Sequence, residues 1–239
     1  MPHSAGNKPT PTPANLGAMS LRSAAFVRVE GVLLPAHTLR CALYLGATTP
    51  GIPERLARWG GWLASAPLAA GLALADRRRL RRLAGYHLRG LTRDRIEALG
   101  SEYFERFLAS ELRAGGLELL ERARGQGKTI VLCSRGLRVA LEPLAAELGA
   151  EHLVASELEF RDDVATGQIM EPDSDWAACW AEAAEVSLAG SYAYGSDLAD
   201  AELLGSVGFP CVVDPDLALR SRARAEGWPV LSLPREAAS

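Results

Sequence analysis

The run AAFVRVEGVLL, residues Ala24–Leu34, is apolar except for one arginine and one glutamate, and it passes into a glycine turn. A short apolar strand feeding such a turn opens many parallel sheets. Further along, TIVLC (Thr129–Cys133) is an unbroken apolar run between polar punctuation, the pattern of a strand buried on both faces. LRVALEPLAAELG follows as an amphipathic helix that stops at Gly149. HLVASELEF and ATGQIM read as two strands around the turn RDDV. SYAYGS, PCVVD and WPVLSL read as further short strands, with helices ADAELLGSV and LALRSRARAEG between them. Strands alternating with helices predict an α/β fold, a Rossmann-like doubly wound parallel sheet.

The stretch from Pro35 to Gly125 is helical in character and reads as one insertion after the first strand. Thr92, followed by Arg, Asp and then Glu97, marks a helix start, whereas Gly115-Gly116 and Gly125 mark stops. The expected organisation is a core of residues 21–35 and 126–239 with an all-helical cap at 36–125. Residues 1–20 are rich in Pro, Thr, Asn and Gly and hold no apolar run. They read as a disordered tail and not as a secretion signal, with Met19 standing where translation could begin.

Composition removes several functional classes. The chain has 239 residues, 29 carboxylates against 26 Lys and Arg, and a net charge of −3, so it carries no general footprint for nucleic acid. Cys41, Cys133, Cys179 and Cys211 are far apart and form no metal-ligand spacing, which argues against a zinc site or a disulfide framework and for a reducing, cytoplasmic location. His3, His37, His87 and His152 have no partners at metal-ligand or triad spacing. GQGKT (Gly125–Thr129) imitates the end of a phosphate-binding loop but lies between a helix and a strand, in the wrong order, and reads as a turn. No G-x-S-x-G is present to hold a catalytic serine.

WGGWLASAPLAAGLALA (Trp59–Ala75) is uncharged and is followed by DRRRLRR, five arginines in seven residues. An apolar helix with a basic flank fits a membrane span or anchor. Pro67, three glycines and a length at the short edge of the roughly 17–25 residues a span needs favour a buried hairpin of cap helices instead.

Taken in order, AAFVRVEGVLL, the strand closing at Ser134, ASELEF…ATGQI and SYAYGSDLADAELLGSVGFPCVVDPDLALRSRARAEGWPVL resemble the haloacid dehalogenase-like superfamily. The likeness is to its phosphoserine-phosphatase-like branch with a helical cap. The resemblance implies metal-dependent phosphoryl transfer in its active members. Their first strand carries D-x-D-G-T, in which the first aspartate attacks phosphorus, the second is the acid/base, and Mg²⁺ neutralises the phosphate. The matching residues here are Arg28, Glu30, Gly31 and Val32. The family's phosphate-holding Ser or Thr is matched by Ser134. Its lysine falls at Ala184, and no lysine occurs after Lys128. Its last motif, G/S-D-S-x-x-D, reads GSDLAD, with Ser196 at the metal position, Asp197 shifted by one, and Asp200 retained.

Losing a covalent nucleophile costs on the order of 10⁴–10⁶ in rate. Replacing it by arginine also reverses the local charge and repels a cation. The expectation is therefore an inactive phosphatase fold with a binding or regulatory role and no metal. Ser134, Arg28, Arg135 and Gly31 are its candidates for holding a phosphorylated small molecule, and a protein partner is the other possibility. The alternative is a working phosphomonoester hydrolase using Glu30, Asp197 and Asp200 with Mg²⁺, and a third is a membrane-associated structural protein. Arg28 itself has two readings: it fills the metal position and pairs with Glu30, Asp197 or Asp200, or it points to solvent from a decayed site.

Overall fold

Strand β1 (Ala24–Arg28) lies in the middle of a seven-stranded sheet, and every one of its residues is buried. The computed structural model describes residues 22–35, 44–45 and 85–234. The expected tail, Met19, the apolar run 59–75, His3, His37, Cys41 and much of the expected cap fall outside them. Among the described residues no helix is long and apolar enough to cross a membrane.

In chain order the described elements are β1, α1 (Arg93–Tyr103), α2 (Ala114–Gly125), β2 (Thr129–Leu137), α3 (Arg138–Glu147), β3 (His152–Arg161), β4 (Val164–Met170), α4 (Trp176–Ala183), β5 (Tyr192–Gly195), α5 (Ala201–Ser206), β6 (Phe209–Val213), α6 (Leu217–Glu226) and β7 (Val230–Leu231). The strands are ordered β4-β3-β2-β1-β5-β6-β7. All neighbours are parallel except the edge strand β4, which returns antiparallel to β3 through Asp162 and Asp163. Both of those residues have positive φ, as the tightest two-residue hairpin requires.

Alternation along β1 sends side chains to two faces. Ala25 and Val27 pack with Ile130 and Leu132 of β2 against Leu119, Leu120 and Ala123 of α2 and Leu141 and Leu144 of α3. Ala24 and Phe26 pack on the other face with Val131, Ala181, Leu204 and Leu219. There the edges of Trp176 and Trp180 meet the Phe26 ring, with centroids 5.8 and 5.5 Å away. Burial on both faces explains why β1 and β2 are written as continuous apolar runs.

One local expectation changes, and the reading of GQGKT as a turn agrees with the structure. Gly115-Gly116 does not stop a helix but sits in the first turn of α2. A side chain at Gly116 would meet the Val32 carbonyl oxygen at 2.4 Å, so the glycine permits the close approach of this helix to the turn after β1. The same helix, read as the end of the insertion, packs on the sheet through Leu119 and Leu120. GQGKT is a turn from α2 into β2: Lys128 Nζ donates to Ser23 Oγ at 2.9 Å and to the Gly190 carbonyl at 3.0 Å.

Candidate functional site

The sheet order places a crevice at the carboxyl end of β1. From that strand the chain leads to β2 on one side, and β5 lies on the other, which is the topological switch point where open α/β sheets hold ligands. Arg28 ends β1 in register with Cys133 of β2. The turn after β1 (Glu30–Val32), the last part of β2 (Ser134–Gly136) and the segment after β5 (Ser196–Asp200) converge there. Gly31 adopts φ +86°, and a Cβ on it would lie 2.0 Å from Ser196 Oγ. Ser196 Oγ donates to the Glu30 carbonyl at 3.0 Å, binding the two loops together.

Arg28 does not face solvent, because the residue is only 8% exposed. Its Nε lies 3.0 Å from Asp200 Oδ1 and 3.8 Å from Glu30 Oε2. Arg28 Nε and Glu30 Oε2 are both buried without a hydrogen-bond partner, so these approaches are charge contacts and not aligned hydrogen bonds. Burial works against the guanidinium's charge, but Asp200, then Glu30, Cys133 and Asp197, more than reverse this and raise its pKa. A permanent cation is therefore fixed at the rim.

Arg135 supplies a second one. Its Nη2 is 2.6 Å from each carboxylate oxygen of Asp197 and 3.2 Å from Asp200 Oδ1. Asp200 Oδ2 in turn accepts from the backbone N–H groups of Ser196 at 2.9 Å and Asp197 at 3.2 Å. Asp197 caps the short turn into α5 and accepts from Ala199 N–H at 2.9 Å. Burial pushes the Asp197 carboxyl up, but the hydrogen bond and charge of Arg135, with Arg28 behind it, hold it below the usual range. Asp200 is more deeply buried, and desolvation raises its pKa against the pull of Arg28 and Arg135.

Glu30 makes the third cluster. Its Oε1 accepts from the Ser134 hydroxyl and from Gly136 N–H at 3.2 Å. Gly136 N–H also lies 2.8 Å from Ser134 Oγ. These donors sit beside Arg28, and the carboxylate accepts from both of them.

The remaining sequence candidates divide. Gly31 donates its N–H to Leu34 O at 2.6 Å, so it has no N–H to offer a ligand. Val32 is wholly buried in the apolar core. Ala184 closes α4 and packs with the Trp176–Trp180 cluster; Trp176 borders the rim cavity, but Ala184 is not among its lining residues. That cavity, about 160 Å³, is bounded by Arg28, Cys133, Ser134, Arg135 and Asp200, and further out by Glu171, Asp173, Trp176 and Glu202. Burial pushes the Cys133 thiol up, so it is held protonated and is no substitute nucleophile. Sequence reasoning missed Gly136, the outer carboxylates, and Arg113, whose guanidinium joins the Gly31 carbonyl and Asp214, each at 2.5 Å. Asp214 lies in the V-D-P-D segment, but nothing local pairs it with an arginine from α2's N-terminus.

The donor set does not fit Mg²⁺. That ion requires oxygen ligands in octahedral geometry and keeps several waters. Arg28 and Ser196 stand at the two positions where the motif resemblance implies side-chain metal ligands, and a guanidinium cannot serve as one. The Ser196 hydroxyl is turned to the Glu30 backbone carbonyl, and Asp200 faces Arg28 at 3.0 Å, so a guanidinium stands where the carboxylate would meet a cation. Among the described residues no group of three or more His, Cys, Asp or Glu side chains is arranged to hold a metal.

Comparison with known proteins places this geometry. The family model of haloacid dehalogenase-like hydrolases matches residues 29–205. A Streptomyces azureus protein described as an inhibition of morphological differentiation protein is 29% identical over 174 residues, 70% of this chain and 63% of its own length. A Mycobacterium tuberculosis protein described as a probable phosphatase is 32% identical over 114 residues, 46% of this chain and 40% of its own. This chain therefore spans less than two thirds of either relative. The crystal structure of phosphoserine phosphatase in apo form superposes with a TM-score of 0.60 at 14% identity, over 90% of this chain and 94% of that one. The sheet order, the switch-point crevice and the matched stretch agree that the chain belongs to the haloacid dehalogenase-like hydrolase family.

Proposed function

We propose that this chain binds a phosphorylated small molecule at the rim of the sheet without transferring its phosphoryl group, using arginine where active relatives use a metal. One observation carries the reading: a nine-tenths-buried Arg28 at the nucleophile position, 3.0 Å from Asp200. An aspartyl-phosphate cannot form on a guanidinium. Arg28 and Arg135 already pair with Asp200 and Asp197, so Mg²⁺ would have to take from them the carboxylates it needs as ligands. Ser134, Gly136, Arg28 and Arg135 together suit the oxygens of a phosphate.

A second reading is an active phosphomonoester hydrolase, which the comparisons favour over inertness. The matching family is one of hydrolases, and a relative is described as a probable phosphatase. Its carboxylates would be Glu30, Asp197 and Asp200. The geometry weighs against it because Asp197 and Asp200 are held by Arg135 and backbone N–H groups, and Glu30 by Ser134 and Gly136.

Release of phosphate from an aryl phosphate, with and without Mg²⁺, separates the two readings. The binding reading expects none above background, with calorimetric heat on titrating phosphate esters. Mg²⁺-dependent release that disappears in Asp200→Asn establishes the hydrolase instead.

A further inference from the structure

We infer that the Glu30 carboxylate is a built-in anion that occupies the phosphate-holding donors and must leave before an outside oxyanion can bind. The inference rests on the binding reading above and adds its control. Three observations support it. Glu30 Oε1 takes up both the Ser134 hydroxyl and the Gly136 N–H, two donors that converge on one point. The partner cation is also in place, with Arg28 Nε 3.8 Å from Oε2. Finally, both of those last atoms are buried and lack a hydrogen bond, so the plug is not well satisfied.

An internal ligand with complete hydrogen bonding would be costly to displace. This one leaves a buried donor and a buried acceptor unmade. A phosphate has more oxygens than a carboxylate and can bond Ser134 Oγ, Gly136 N–H and Arg28 Nε at once. The route in is the 160 Å³ cavity, which is lined by Arg28, Ser134 and Arg135. Glu30 lines a separate small cavity of about 40 Å³, with Leu34, Tyr103 and Leu141 in its wall. Rotation of the Glu30 side chain away from Ser134 is the movement the proposal requires. Gly136 keeps the cradle open, since a Cβ there would lie 3.1 Å from Ser134 Oγ and 3.2 Å from Glu30 Oε1.

Glu30 lies two residues beyond Arg28, a side chain longer by one methylene than the aspartate of active relatives. The extra length suits a carboxylate that reaches Ser134 on the neighbouring strand. On this account the site is closed by its own residues twice: a guanidinium stands for the metal and a carboxylate for the phosphate.

The test is calorimetric titration of inorganic phosphate into the full chain and into Glu30→Ala, Glu30→Gln and the double variant Glu30→Ala/Ser134→Ala. Circular dichroism checks that each is folded. Glu30→Ala is expected to bind phosphate tighter than the unaltered protein by on the order of tenfold or more, because a like charge and a competitor are both removed. Glu30→Gln, which keeps the shape but not the charge, should fall between them, and the double variant should lose the gain. Should Glu30→Ala fail to fold, Glu30→Gln decides alone, by binding tighter than the unaltered protein or not. Phosphate binding equally well to the unaltered protein and the Glu30 variants overturns the plug while leaving the binding reading intact. No heat with any of them overturns both.

Discussion

Two adjoining parts of one strand follow opposite rules. From Ala24 to Val27, β1 is wholly buried and wholly apolar, with each side chain packed on one face or the other. One residue later, at Arg28, burial persists but the side chains are charged, and the rim coheres through Arg28–Asp200, Arg135–Asp197 and Glu30–Ser134. The apolar part draws stability from area removed from water, a term that depends little on who the neighbours are. The rim survives desolvation only because each charge has a specific partner, and losing one partner leaves the other stranded. The apolar stretch is therefore held by packing and buried area, and the rim by specific charge pairs.

The largest effects test that contrast directly. Arg28→Ala is expected to lower unfolding free energy by about 3–5 kcal/mol in urea titrations, since it leaves Asp200 buried without its nearest cation. Phe26→Ala, which removes the ring between Trp176 and Trp180, is expected to cost a similar amount, about 3–5 kcal/mol. Acidity separates the two. Without Arg28 the already raised Asp200 pKa rises further, so the native state takes up a proton more readily than the unfolded chain. The deficit of Arg28→Ala then shrinks as pH falls from neutral, while that of Phe26→Ala does not change with pH. Equal pH dependence in both would erase the distinction between the two regions.

A smaller loss, about 1–3 kcal/mol, is expected of Gly31→Ala, because φ is +86° and the new Cβ runs into Ser196 Oγ. Thermal melting checks it, and a gain in stability would mean that the turn after β1 is not braced by Ser196. Smaller again is Asp197→Asn, about 1 kcal/mol at neutral pH for a half-buried pair. The folded Asp197 pKa is lowered, so its contribution is present above the ordinary carboxylate range and is lost as pH falls through the folded value. Melts from pH 7 downward should show a shallower acid limb in the variant. The control is Arg222→Ala at the exposed Arg222–Glu226 pair, 2.8 Å apart on α6, where about 0.3–0.5 kcal/mol is the most expected.

Much of the fold was legible because its signals are local. Apolar runs such as TIVLC and the RDDV turn announce strands and a hairpin over a few residues, and the helices LRVALEPLAAELG and LALRSRARAEG carry their own periodicity. Misreadings arose where a glycine served distant packing. Gly115-Gly116 has the composition of a helix stop, yet Gly116 lies inside α2 because the Val32 carbonyl presses against it from across the chain. The site was legible as a list of residues, and Arg28, Glu30, Ser134, Arg135, Asp197 and Asp200 do converge. Their pairing was not, since Ser134 and Glu30 lie 104 positions apart and no periodicity links them. The outer carboxylates Glu171, Asp173 and Glu202 carried no signal at all, because an acidic residue on a loop or in the first turn of a short helix reads as solvated surface until the fold curls it around a cavity.

By itself, then, the amino-acid order determined the alternating sheet and the arginine that ends its first strand, since backbone periodicity and residue identity at one position need no third dimension. Only the tertiary structure decided that Arg28 is buried against Asp200, that Arg135 takes Asp197, and that Glu30 sits in the cradle of Ser134 and Gly136. The choice among partners for a buried charge is made by which strand ends the sheet brings within a few ångströms, and that distance is a property of the whole fold.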